Sequence, residues 1–366
     1  MKQFTLSRRG FVQGAVALAA TPSTLAAQAQ GTPASASLTP LPAVSAIFDA
    51  CDHFPLVALG EHHQLQDFHD LLTALVFHPT FPDKVNDVVV EFGNSLYQDI
   101  ADRFVVNGEP VANAELEQIW RDTIGGGVIW DAPVYGQFFR NMRAINWMLP
   151  PERRVRVVLG DPPIDFAKIK SASDAAAVPT EDSRDTFYAG VVASEVLAKG
   201  RRGLLVAGYP HLRHGLHPTR SANQLNAVTL LDQQHPKSVF TIETLPVNPG
   251  WMPDDAIQQI VTEFVAWTAP SVAKIAGTWL GQVAASVRAV DPNATLEAQV
   301  DAVLWLGPNT RLTASRADPA IYQCGDYATE LARRSTVLTE IQGSQGRPVD
   351  MVADGLLAAQ APANWP

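Results

Sequence analysis

Six short apolar runs punctuate the chain, and five of them finish on an acid or a histidine. Residues 56–60 run into Glu61, 87–90 into Glu91, 155–160 into Asp161, 203–210 into His211 and 238–242 into Glu243; residues 301–307 form the sixth run. Each is rich in Val, Leu or Ile and lacks polar alternation. Such runs, separated by longer segments of helical spacing, read as parallel strands buried on both faces. The pattern predicts an α/β fold: a central, mostly parallel sheet of about six strands, helices on both faces, and helical insertions. Ligands of such sheets bind outside the carboxyl ends of the strands. A single acid at a strand end can be a helix cap. Five in succession, one of them His211 and three of them Glu, fit a functional rim better, because neither residue is a favoured cap.

The spacing between the runs predicts helices over 43–53, 66–76, 97–105, 112–124, 135–147, 184–198, 222–233, 254–266, 270–289 and 327–341. In the second, Phe68, Leu71, Leu72 and Leu75 share one stripe. Residues 30–42, rich in Pro, Ser and Ala, read as a linker, and 353–366 as a weakly ordered tail. The alternation runs nearly unbroken between them, so 43–352 reads as one α/β domain.

The first 29 residues read as a secretory signal of the twin-arginine kind. Arg8-Arg9 precedes the mild apolar stretch 15–20, and Ala27-Gln28-Ala29 supplies the small residues of a cleavage site. This stretch is too short to span a bilayer, and no later one is long enough. The expected location is therefore periplasmic. Loss of residues 1–29, with Lys2, Arg8 and Arg9 and no acid, takes the formal charge from −10 to −13. An acidic chain without a basic stripe argues against nucleic acid or an anionic lipid surface as partner. Cys51 and Cys324 are far apart in sequence; an oxidising compartment would permit a disulfide between them.

Candidate chemistry gathers in two segments. In Leu59-Gly60-Glu61-His62-His63, extended backbone would send Glu61 and His63 to one side and His62 to the other. A carboxylate beside an imidazole can help bind a metal or hold the imidazole as a general base. His69 begins the next helix and can point back to the same rim. In 207–218, His211 sits at a strand end, and Arg213, His214 and His217 follow in the loop. Histidine and arginine together suit an oxyanion, a carboxylate, a phosphate or a propionate.

These residues carry a family resemblance. Leu59-Gly60-Glu61-His62-His63 with His69, Val88-Val89-Val90-Glu91-Phe92 with Gln98, and Ala207-Gly208-Tyr209-Pro210-His211-Leu212-Arg213 resemble the motifs of ChaN-like haem-uptake proteins. The stretch from Phe138 to Asn146, the strand ending Gly160-Asp161, and Ser183-Arg184-Asp185-Thr186-Phe187-Tyr188-Ala189 resemble erythromycin esterases, which share a superfamily with the Tiki proteases. Gln64 departs from the esterase pattern, standing where that family has a histidine. The resemblance implies a hydrolase cleaving an ester or related bond by water activated at His63 or His211, with Glu61 or Glu91 orienting and Arg184 balancing charge. No Gly-x-Ser-x-Gly elbow occurs. Two alternatives stay open: haem binding, with His69, Tyr209 and Arg213 as cofactor residues, and metal-dependent peptide hydrolysis through Glu61, His63 and His211. The partner is then a small-molecule substrate or haem, and the cofactor none, haem or a divalent metal.

Overall fold

The computed structural model describes residues 36–124, 128–217, 224–245, 252–286, 288–343 and 348–365. The signal-sequence reading, on 1–29, and the first part of the linker lie outside these residues. Eight strands form one sheet: β1 (Leu41–Pro42), β2 (Leu56–Glu61), β3 (Asp87–Asn94), β4 (Arg156–Asp161), β5 (Gly203–Gly208), β6 (Val239–Leu245), β7 (Ser271–Lys274) and β8 (Ala302–Trp305). Their order is β1-β7-β8-β6-β2-β5-β3-β4. The ladders β4–β3, β3–β5, β5–β2, β2–β6 and β6–β8 are parallel; β7 pairs antiparallel with β8 and β1.

Side chains along each central strand alternate between two apolar clusters, as period-two geometry requires. Val57, Leu59, Val88, Val90, Val157, Leu159, Leu204 and Val206 pack on one face, with the helices Ala43–His53, Gln66–Val76, Asn113–Arg121 and Pro133–Trp147. Leu56, Ala58, Val89, Val158, Leu205 and Ala207 pack on the other, with Ala189, Val192 and Val196 and with Val228 and Leu231 of Ala227–Gln234. Covering both faces removes the reason for polar alternation, which is why the sequence shows continuous apolar runs there. Gln98 fastens the edge strand: its amide donates to the Val157 carbonyl and accepts from the Leu159 N–H.

All six expected strands are present. The other two replace parts read differently. Residues 270–289, expected as a helix, instead give β7 followed by turns. Val272 and Ala273 are buried against β8, and Gly277 adopts φ +71°, which ends any helix there. Short antiparallel edges of this kind leave too few residues for a period to show. The tail also differs from expectation: Met351–Gln360 is a helix, capped by the Asp350 carboxylate on the Ala353 N–H. Its Gly355 lies against the buried Tyr322 ring, and beyond it Asn364 bridges Thr313. Among the described residues, no helix is long and apolar enough to cross a membrane. Cys51 and Cys324 are both free, one buried and one exposed.

Gly355 offers a test in which two effects oppose. In a helix interior, Gly→Ala should stabilise by about 1 kcal/mol through propensity. Here an added Cβ would lie 2.3 Å from Tyr322 Cε1, and forced overpacking costs about 1–3 kcal/mol. Gly355→Ala is therefore expected to lower the thermal unfolding midpoint. A raised midpoint would mean that the terminal helix is not docked as described.

Candidate active site

The chain passes from β2 outward to β3 and β4, returns to place β5 between β2 and β3, then crosses to β6 on the far side of β2. The carboxyl ends of β2 and β5 are thus the topological switch, where α/β sheets open a crevice. Glu61 ends β2, Glu91 lies within β3, Asp161 ends β4, and Gly208 leads from β5 into a turn, Tyr209–His211.

Glu91 is 2% exposed and has partners on three sides. Its Oε1 accepts from Arg184 Nη2 at 3.0 Å and faces His211 Nε2 at 3.5 Å, while its Oε2 accepts from the Gly208 N–H at 2.6 Å. Burial alone would favour the protonated acid. His211, His63, Arg184 and the Gly208 amide outweigh it and hold the carboxyl below its usual range. A Cβ at Gly208 would lie 3.2 Å from His63 Nε2 and 3.3 Å from Glu91 Oε2, so only glycine sits there without displacing them. Arg184 also binds Asp161 Oδ1 through Nε at 3.0 Å; Tyr188 Oη donates to the same oxygen at 2.8 Å and the Ile124 N–H to Oδ2 at 3.1 Å. Burial raises the Asp161 carboxyl despite these partners.

His211 has a carboxylate at each ring nitrogen, with Nδ1 2.9 Å from Asp185 Oδ1. Burial opposes its charge, but Asp185 and Glu91 raise its pKa to about 9. Glu61, fully buried, accepts from Tyr135 Oη at 2.7 Å and pairs with His69 Nε2 at 3.1 Å; its Oε1 is 3.8 Å from His63 Nδ1. Burial again favours the neutral acid, and the neighbouring His63 and His69 reverse it, leaving Glu61 well below the ordinary range. His63 differs from the rest in keeping 32% of its side chain exposed. Its ring stands edge-on to Trp130 at 4.6 Å. Burial lowers its pKa, but Glu91 and then Glu61 give a net rise.

The structure therefore brings Glu61, His63, His69, Glu91, Arg184 and His211 together. It places Tyr209 and Arg213 elsewhere. Arg213, 1% exposed, makes a two-pronged pair with Glu243 at 2.6 Å for each prong and reaches Gln299 Oε1 at 3.3 Å. Tyr209 is 4% exposed, between the His62 ring and the Arg213 guanidinium. Glu243 is thus an internal ion-pair partner and not a rim acid. His62 turns away, as its place beside His63 predicts, and bonds the Thr244 carbonyl. His214 lies between Asp232 and Asp301, and His217 contacts the Gln224 carbonyl.

Sequence reasoning placed Asp161 at the rim without giving it a role, and gave no catalytic or cofactor role to Asp185, Tyr135, Tyr188, Trp130 or Gln64. Asp161 ends an apolar run and Asp185 follows Arg184, so both had a signal. Tyr188 had none, because its hydroxyl is recruited from inside a helix by tertiary packing; Tyr135 stands in the first turn of its helix.

Among the described residues, no group of three or more His, Cys, Asp and Glu side chains is arranged to hold a metal ion. Tyr209, named for haem, is buried beside His62.

No protein-family model matches the chain, and no curated protein matches it in sequence. Solved structures do resemble it. A succinoglycan biosynthesis protein matches at 9% identity over 74% of this chain and 94% of its own, with TM-score 0.50. An erythromycin esterase mutant in its open conformation matches at 13% identity over 72% and 92%, with TM-score 0.46. ChaN of Campylobacter jejuni, described with cofacial haem binding, matches at 13% identity over 56% and 86%, with TM-score 0.33. At these identities the likeness is one of fold.

The Arg213–Glu243 pair is testable as structure. Breaking a buried pair by removing one partner typically costs about 3–5 kcal/mol, whereas replacing both with apolar groups is often neutral. Arg213→Met should lower stability in urea unfolding, and Arg213→Met with Glu243→Leu should recover most of it. A double variant no better than the single would refute the pairing.

Proposed function

We propose that this protein is a hydrolase that cleaves an ester or related bond with water activated by His63. One observation carries the reading: His63 is a partly exposed imidazole beside buried Glu61 and within the field of buried Glu91, which in turn faces His211. Neutral His63, oriented by Glu61, takes a proton from water as the water oxygen attacks the substrate carbonyl. His211, held as imidazolium by Asp185 and Glu91, places its positive charge near the developing oxyanion. Arg184 shares the Glu91 charge, so that His211 is not fully neutralised. Collapse of the tetrahedral intermediate breaks the bond to the leaving group, and His63 returns its proton to the departing oxygen.

The two histidines have opposite protonation requirements, and this fixes the pH profile. His63 must be neutral, so kcat/KM falls as pH drops through its raised pKa. His211 must be charged, so kcat/KM falls again as pH rises through about 9. The expected profile over an ester panel is a bell whose maximum lies on the alkaline side of neutral. His63→Ala should reduce kcat/KM by about 10²–10⁴-fold, the usual contribution of general acid–base catalysis. Wild-type protein inactive on the whole panel, or His63→Ala as active as wild type, would overturn the assignment.

We also propose export by the twin-arginine route, on the strength of Arg8-Arg9 and the Ala27-Gln28-Ala29 exit. Replacing both arginines with lysine should leave precursor in the cytoplasm on cell fractionation. An unchanged periplasmic fraction would count against it.

A further inference from the structure

Gln64 follows His63 directly and adopts φ +67°, a left-handed conformation that non-glycine residues seldom occupy. Residues held there tend to sit at functional sites, kept in place by their surroundings. The surroundings of Gln64 are specific. Its backbone N–H donates to Tyr135 Oη, the oxygen whose own proton goes to Glu61. Its carbonyl accepts from the Ser315 N–H at 2.7 Å. Its side-chain amide donates to the carbonyls of Val128 and Ile129, both at 3.0 Å, and its Oε1 accepts from Arg316 Nη1 at 3.0 Å.

Val128 and Ile129 lead directly into Trp130, the ring packed edge-on against His63. The segment is anchored again just beyond Trp130, where Asp131 accepts from Tyr322 Oη and Tyr327 Oη, each at 2.8 Å. One anchor is therefore on the outside, made by the C-terminal helices. The other is Gln64, on the site side, and it belongs to the same strand end as His63.

We infer that Gln64 is a positioning residue: its amide holds the 128–130 segment so that Trp130 covers His63 and limits solvent access to the imidazole. The left-handed turn is what allows this. It aims the amide at two consecutive carbonyls, while the backbone of the same residue fixes Tyr135 on Glu61. One residue thereby couples the cover over His63 to the carboxylate that orients it. The consequence for catalysis rests on the hydrolase reading; the covering role does not.

The test uses the reactivity of His63 itself. Full-length protein is treated with diethyl pyrocarbonate, and modification at His63 is followed by peptide mass spectrometry. Gln64→Gly keeps the backbone bonds and accepts positive φ but loses the amide. Gln64→Glu keeps the length and the Arg316 partner but turns an oxygen toward the two carbonyls. Both should raise the rate at His63 at least fivefold, with His53, which lies at the opposite end of β2, unchanged. Gln64→Asn tolerates the same φ but is too short to span both carbonyls. It should behave likewise, and it serves if the glutamate variant does not fold. Rates within twofold of wild type in the folded variants would overturn the inference, whatever the ester assays show. A raised rate in a protein that hydrolyses no ester would leave the cover standing and remove the hydrolase.

Discussion

The burial of Glu91 is the constraint around which the rest of the site is organised. An ionised carboxylate at 2% exposure is tolerable only if its lost hydration is replaced by charge and hydrogen bonds. Each replacement comes from a different element. Arg184 arrives from the helix Glu181–Val191, the Gly208 amide from the end of β5, and His211 from the turn that follows. The requirement passes outward in turn. Arg184 needs Asp161, Asp161 needs Tyr188 and the Ile124 amide, and His211 needs Asp185, which also caps the Ala227 N–H. Satisfying one buried charge therefore fixes β3, β4, β5 and two helices relative to one another.

This propagation explains which parts of the molecule were legible in the sequence. The six main strands were, because coverage of both sheet faces leaves an apolar run of period zero that nothing else in the chain imitates. The rim residues were legible for the same reason: Glu61, Glu91, Asp161 and His211 each interrupt such a run at its end. Arg184 was found only through its resemblance to a known helix start, since a charged residue at a helix terminus is ordinary. Arg213 and Glu243 misled because the pattern that marks a rim also marks an internal ion pair. Local sequence cannot distinguish a strand-end acid facing the crevice from one facing a buried guanidinium.

What the sequence hid was long-range. The cover over His63 depends on Asp131 meeting Tyr322 and Tyr327, nearly two hundred residues later. Those tyrosines in turn depend on a terminal helix with a glycine at the one position where the Tyr322 ring passes. Read locally, residues 353–366 are Ala-rich with a mid-run glycine and look weakly ordered. Read in place, Gly355 is the concession that lets the helix approach. The short strand β7 is comparable: its four residues gain their identity from β8, not from any period of their own.

The division of labour between the two histidines follows from the number of carboxylates each one faces. A neutral imidazole has one N–H and one acceptor nitrogen, so it can satisfy only one adjacent carboxylate. His211 has Asp185 at one nitrogen and Glu91 at the other, and only imidazolium can donate to both. His214 obeys the same rule, with Asp232 at 2.7 Å and Asp301 at 3.1 Å and a pKa likewise raised to about 9. It spends that charge binding the loop 209–217 to the neighbouring helix and the start of β8. A ring held this way is a fixed cation, suited to meeting negative charge and unsuited to accepting a proton near neutral pH. His63 has a different position. Its one near carboxylate oxygen is 3.8 Å from Nδ1, its Nε2 lies close to the bare Gly208 backbone, and a third of it meets solvent. Unlike His211 and His214, it can lose a proton without leaving a carboxylate unsatisfied. The base is therefore set by the geometry of the acids, and moving a single carboxylate to the free side of His63 would convert it into a second fixed cation.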